Sequence, residues 1–208
     1  MNSFSPKILG WHLCEIGLEL FFQKKKMETG IMTTSYLRRA TKADLPAILT
    51  IINEAKAYLK EQGINQWQAG YPTNQDIEKD IEQQISYVLM VDGQIAGTAA
   101  LWPDNDVNYD DIQEGSWRGN PDDKYMSIHR IAISSKFRGQ RLSEKMMQGL
   151  FTISSLLGYD EVRVDTHPLN KGMQKVITNN GFEYRGIIDF IDENEVDNKR
   201  FAYQLYLK

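Results

Sequence analysis

Cysteine is almost absent from this sequence of 208 residues: Cys14 is the only one. An internal disulfide and a cysteine-built metal cluster are therefore excluded, and the chain fits a reducing, cytoplasmic setting. Histidine is nearly as scarce, with three in the chain. His129, Asp165 and His167 find no clear fourth partner for a metal ion, so no metal is expected. There is no basic excess, because 24 Lys and Arg stand against 28 Asp and Glu, a formal charge of -4. A general affinity for nucleic acid is not expected of such a chain. No apolar run is long enough to cross a bilayer. Neither a Walker loop, G-x-x-x-x-G-K-[ST], nor a dinucleotide fingerprint, G-x-G-x-x-G, occurs.

The nearest thing to a hydrophobic run is "ILGWHLCEIGLELFF", interrupted by His12, Glu15 and Glu19 and followed by "QKKK". A secretory signal would carry its positive charge before the apolar run. Residues 1–31 are read as an N-terminal extension, a short amphipathic helix or an appended segment not needed for the fold; the alternative is a membrane-surface role, and no membrane partner is expected of the domain. Residues 32–208 are long enough for one well-buried domain.

From Ser35 onward the pattern alternates. "SYLRRA" has strand composition, and Thr41, Asp44 and Pro46 mark a helix start over 44–60. "TNQDIEKDIEQQI" predicts a second helix with Ile77, Ile81 and Ile85 at four-residue steps. "YVLMVDGQIAGTAALW" predicts a hairpin turning at Asp92-Gly93. Residues 103–124 are polar and acidic and predict a long connection. Their charge would be solvated or would attract a cationic amine. A strand "YMSIHRIAIS", a helix over 139–157, a strand "EVRVDT", a helix "NKGMQKVITNN" and strands "FEYRGIIDFI" and "RFAYQLYL" complete the domain. This order predicts a single α/β domain of three layers, a mixed sheet flanked by helices.

The chemistry concentrates in "KFRGQRLSEKMMQGL". A helix start offers backbone N–H groups without internal partners and the positive end of a dipole, and so favours an anion. Gly139 lets a ligand approach the backbone, and Arg138 and Arg141 add guanidinium groups that match phosphate oxygens. The alternative is a basic, solvated helix start with no ligand.

The wider stretch "HRIAISSKFRGQRLSEKMMQGL" resembles the acetyl-coenzyme A motif of the GCN5-related N-acetyltransferases (GNAT), in which Arg/Gln-x-x-Gly-x-Gly/Ala follows a strand and opens a helix. "LNKGMQKVITNNGF" is similar to the family's later Asn-containing helix that ends in Gly-Phe. The resemblance implies a GNAT-type fold and acetyl-CoA as cosubstrate. It implies that the backbone of Ile131, Ala132 and Ile133 pairs with the pantetheine arm. Arg138, Gly139, Gln140, Arg141, Leu142 and Ser143 would hold the pyrophosphate, with Asn170 contacting the cofactor near the arm. Three positions depart from the family pattern. Arg141 and Ser143 stand where glycine or alanine is usual, and Ile177 stands where many relatives carry a tyrosine that protonates the leaving thiolate.

The implied function is direct acetyl transfer to a primary amine of a small molecule or peptide, without an acyl-cysteine step. The alternative is a non-enzymatic acyl-CoA-binding module on the same fold. His129 is the candidate base, or else a packed strand histidine. Tyr184 is a candidate proton donor, or else a packing group. Trp67 and Tyr71, in the loop between the first two helices, are candidates for the acceptor pocket, or else anchors of that loop. Asp165 and His167 are expected to share a hydrogen bond that shapes the next helix start. Edge strands and exposed aromatics allow a homodimer.

Overall fold

The computed structural model describes residues 34–104, 106–120, 122–191 and 197–207. The extension predicted over residues 1–31 lies outside them. The first helical segment opens as a 3-10 turn, Lys42–Asp44, and continues as α1, Leu45–Glu61, with Pro46 in its first turn. Helix α2, Asn74–Glu82, begins with a reciprocal cap. The Thr73 hydroxyl accepts from the Asp76 amide at 3.2 Å, and the Asp76 carboxylate accepts from the Thr73 amide at 2.7 Å. The hairpin forms as expected from strands β2, Ser86–Val91, and β3, Gln94–Pro103, with Asp92 and Gly93 both at positive φ in the turn.

The remaining elements are β1 (Ser35–Arg39), β4 (Ile112–Gln113), β5 (Met126–Ile133), α3 (Leu142–Leu156), β6 (Glu161–Thr166), α4 (Lys171–Asn179), β7 (Glu183–Asp189) and β8 (Lys199–Tyr206). The eight strands form one mixed sheet in the order β1-β2-β3-β5-β6-β8-β7-β4. Only β5 and β6 run parallel. Side-chain alternation along β2 divides the core: Leu89 and Val91 pack beneath α3, while Val88 and Met90 pack beneath α1 and α2. Three layers result, as the element order predicts.

Segment 103–124 departs from its prediction as a solvated acidic connection. It holds a 3-10 turn, Val107–Tyr109, and the short strand β4, which pairs with β7. Tyr109 is buried with Tyr125, Ile188 and Ala202 in a separate small core. Burial of these aromatics outweighs the polar composition, and it carries Asp106 inside as well.

Strand β5 is bent by a bulge. Thr98 pairs with Ala132 but Ala100 pairs with His129, so three residues of β5 span two of β3, and Arg130 takes φ 50. The extra residue turns Arg130 toward α2, where its Nη1 donates to both oxygens of Asp80 at 2.8 and 2.6 Å. Both side chains are buried, and the guanidinium lies over the rings of Tyr71 and Trp102, 5.2 Å from each.

Removing one member of a buried pair strands the other charge. Asp80→Ala is therefore expected to destabilise the protein by about 3–5 kcal/mol in urea unfolding, with most of the loss recovered in Asp80→Leu/Arg130→Met. A near-neutral single variant would contradict this. At the sheet edge, Arg38 donates to both Asp44 oxygens at 2.7 and 2.8 Å. That guanidinium, opposed by partial burial and aided by Thr41, holds the Asp44 carboxyl well below the usual range. Such a depressed group stabilises the fold above its unfolded pKa of roughly 4, and the contribution fades as pH falls toward the folded value. Asp44→Asn should lower Tm at pH 7, and the gap from the parent should narrow in scans below pH of about 4.

Candidate functional site

Strands β5 and β6 pair over only three rungs, ending at Ile128↔Val164. Beyond that rung they part, because β6 stays in register with β8 through Thr166 while β5 follows β3 around its bulge. A cleft of about 360 Å³ opens in the gap. Ile131, Ala132 and Ile133 line it from β5, and Val164, Asp165 and Thr166 line it from β6. Backbone groups on the inner edge of β5 thus face a space rather than a neighbouring strand, as an extended ligand arm would require.

One end of the cleft is closed by the turn into α3. Gly139 has φ +79, and no heavy atom lies within 4 Å of where a Cβ would stand, so a ligand can reach the backbone there. Arg141, at the N-cap, takes φ 54 and ψ 30, a left-handed conformation that side chains resist. The amides of residues 139–143 find no backbone acceptor among the described residues. The Arg138 guanidinium stacks over the Tyr58 ring at 4.3 Å, and both line the cleft. Arg141 is 80% exposed and is held by Glu144, with two contacts at 3.1 Å. Ser143 lines the cleft, Leu142 lines it and roots α3 in the core, and Gln140 is exposed beside it. Open amides, a cationic guanidinium and clear space above Gly139 fit a pyrophosphate.

Asn170 closes the side wall. Its Oδ1 accepts from the Met173 amide at 3.0 Å and caps α4, while its Nδ2 donates to Gln66 at 3.1 Å. Along α4 the cleft is lined by Met173 and Val176. Ile177 instead lies fully buried in the core.

The other end is aromatic and charged. Trp67 and Tyr71 both line the cleft, and the Tyr71 ring packs against Phe190 at 5.4 Å. Burial pushes the Tyr71 hydroxyl well above its ordinary pKa. His129 lines the cleft with its ring between Trp102 and Tyr109, at 5.2 and 6.2 Å. Its Nε2 lies 2.7 Å from Asp106 Oδ2, an ion-pair distance off good hydrogen-bond alignment. Burial opposes ionisation of Asp106, but the His129 ring and the Asn108 donors outweigh it and hold this carboxyl below its usual range.

The structure therefore brings together at the cleft His129, Trp67, Tyr71, Asn170 and every cofactor candidate except Gln140. It does not bring Tyr184, which is 48% exposed and edge-packed on Phe201 and Tyr203. The expected Asp165–His167 bond is replaced. His167 Nε2 lies 2.9 Å from Asp197 and its Nδ1 accepts from the Leu169 amide, whereas Asp165 accepts from the Tyr109 hydroxyl. Phe190, Arg200, Gln66 and Tyr58 line the cleft without any sequence signal, since each reaches it from a different element. Asp165 stood out in the sequence only by its spacing from His167, since β6 also carries Glu161 and Arg163.

The sequence model of the Acetyltransferase (GNAT) family matches residues 50–182. A GNAT-family acetyltransferase from Streptococcus agalactiae is 33% identical, with a TM-score of 0.74 over 84% of this chain and 96% of that one. The N-acetyltransferase YesJ of Bacillus subtilis, itself uncharacterised, is 23% identical over 73% of this chain and 83% of its own length. RimL, a ribosomal L7/L12 alpha-N-protein acetyltransferase solved in complex with coenzyme A, shares the fold. It has a TM-score of 0.60 at 17% identity, covering 85% of this chain and 96% of that one. The chain belongs to the acetyltransferase (GNAT) family and is an acetyl-CoA-dependent N-acetyltransferase.

Proposed function

We propose that the protein transfers the acetyl group directly to a primary amine of a small molecule or peptide, in a ternary complex within the cleft between β5 and β6. The observation that carries this reading is the single cleft lined at one end by open amides and Arg138 and at the other by Trp67, Tyr71 and His129. Two substrates could enter it from opposite ends and meet where the strands part.

The chain's own residues divide the work. Residues 138–143 and Asn170 would hold the nucleotide end, and the edge of β5 at 131–133 would align the arm. When bound, acetyl-CoA supplies a thioester carbon for the amine to attack. Holding both partners in line accounts for much of the rate in such transfers. His129 would act at the reacting end as a ring fixed by Asp106, and His129→Ala is the variant that tests its part. Tyr184 is left out of this chemistry because it lies outside the cleft lining. The single cysteine fits transfer without an acyl-enzyme and a cytoplasmic location. A homodimer in solution is compatible with the exposed edge strand β1, where Tyr36 is 50% exposed.

Ile177 leaves no hydroxyl at that point of α4, so the donor of a proton to the thiolate must stand elsewhere. Calorimetry and thiol release test direct transfer: acetyl-CoA should bind, and free thiol should be released only when an amine is added. Binding with no release from a panel of amino acids, polyamines and short peptides would contradict a primary-amine acceptor of these classes, and release without amine would contradict direct transfer. Arg138→Ala is expected to weaken acetyl-CoA about tenfold, the loss of a charge-assisted phosphate contact. Arg141→Gly should relieve the left-handed strain and raise Tm by about 2–4 °C, with a smaller loss of affinity. An unchanged Tm would mean that residue 141 is not strained.

A further inference from the structure

Asp165 is the first residue of β6 past the last rung shared with β5, and His129 is its counterpart on β5. Its backbone is fixed, since Asp165 pairs with Ala202 of β8. Its side chain is 9% exposed yet lines the cleft. The Tyr109 hydroxyl donates to Oδ1 at 2.9 Å, and Arg200 Nε stands 4.0 Å from Oδ2. The other charged groups around this end are committed elsewhere. His129 faces Asp106, Arg130 holds Asp80, and Arg200 Nη1 donates to the carbonyls of Asp197 and Lys199 at 2.8 and 2.9 Å. The rings of Tyr71 and Phe190 line the same cleft, and Tyr71 is near enough to Asp165 for the carboxylate charge to act on its phenol. A buried carboxylate that takes its hydrogen bond from a neutral phenol, with Arg200 only at the 4.0 Å limit of an ion pair, is suited to an ammonium group entering the cleft.

We propose that Asp165 binds the acceptor as an ammonium ion and takes its proton. This inference rests on the reading that acetyl-CoA occupies the same cleft. Asp165 accepts one proton from R–NH3+, and the freed nitrogen lone pair forms the C–N bond to the thioester carbon. The C–S bond breaks, and its electron pair stays on sulfur. The proton held on Asp165 passes to that thiolate, and the remaining surplus proton on nitrogen leaves to solvent, so one proton is released per transfer. A carboxyl that both takes and returns a proton needs a pKa above the ordinary range. Burial raises that of Asp165, and the opposing pull of His129, Arg200 and the Tyr109 hydroxyl does not cancel the rise, to which Asp106 adds. One side chain would thus serve as base and then as acid, which accounts for a working α4 that carries isoleucine at 177.

The test uses the full chain, with acetyl-CoA as donor and propylamine, free amino acids and a tripeptide with a free N-terminus as acceptor probes. Acetyl-CoA affinity is measured first, by calorimetry, on the parent and on Asp165→Asn and Tyr109→Phe. Thiol release is then followed against pH, and the Asp165 carboxyl is titrated by 13C NMR. Asp165→Asn is expected to keep acetyl-CoA affinity within about twofold while losing about 100-fold or more in kcat/KM. Tyr109→Phe removes a donor from the carboxylate, so the NMR titration and the acid limb of kcat/KM should both move to higher pH. The second variant decides the matter if the first fails to fold. Turnover in Asp165→Asn within about threefold of the parent, or a carboxyl titration that moves while the acid limb stays, would overturn the proposal. A parent that does not bind acetyl-CoA would overturn the underlying reading, and that outcome is visible before any amine is added.

Discussion

The parting of β5 from β6 after the Ile128↔Val164 rung is the constraint on which the rest of the site depends. Two parallel strands that stayed paired would bury their edges against each other and leave no room for a ligand. Here β6 is drawn along by its six-rung ladder with β8, while the bulge at Arg130 bends β5 toward β3 and α2. The Asp80 pair and the stacked rings of Tyr71 and Trp102 hold Arg130 in its left-handed conformation. Strain at one residue is thus fixed by a buried ion pair, and the cleft is the geometric result.

The two ends of the cleft differ in how they are made. The end proposed for the anion is mostly backbone: open amides, a glycine at positive φ and a helix start, with Arg138 added from outside. The opposite end is built of side chains from distant parts of the chain. Tyr71 comes from the loop before α2, His129 from β5, Asp165 from β6 and Phe190 from the segment after β7. A backbone cradle suits a cosubstrate common to a family. A side-chain pocket assembled from four elements is where an individual acceptor would be recognised.

That difference explains what the sequence disclosed. Residues 138–143 form a contiguous stretch of local conformation, so an anion end could be proposed from its arginines and glycine alone. The hairpin at Asp92-Gly93 was legible for the same reason. The setting of Asp165 was not legible, because it depends on Tyr109, more than fifty residues away and inside a segment whose acidic composition suggested a solvated loop. Composition counted the charges of residues 103–124 but could not count the burial of Tyr109 and Tyr125 that overrides them. Tyr184 illustrates the reverse case: its spacing from Gly181 suggested the cleft, but strand alternation turned it onto Phe201 and Tyr203.

Acetyl-CoA is proposed to occupy the gap between β5 and β6. Backbone amide hydrogen exchange with and without acetyl-CoA tests this most directly. Protection is expected to rise along 130–133 and 139–145, with little change at β1 and β7. Unchanged exchange in those two segments at saturating acetyl-CoA, or protection confined to another surface, would contradict it.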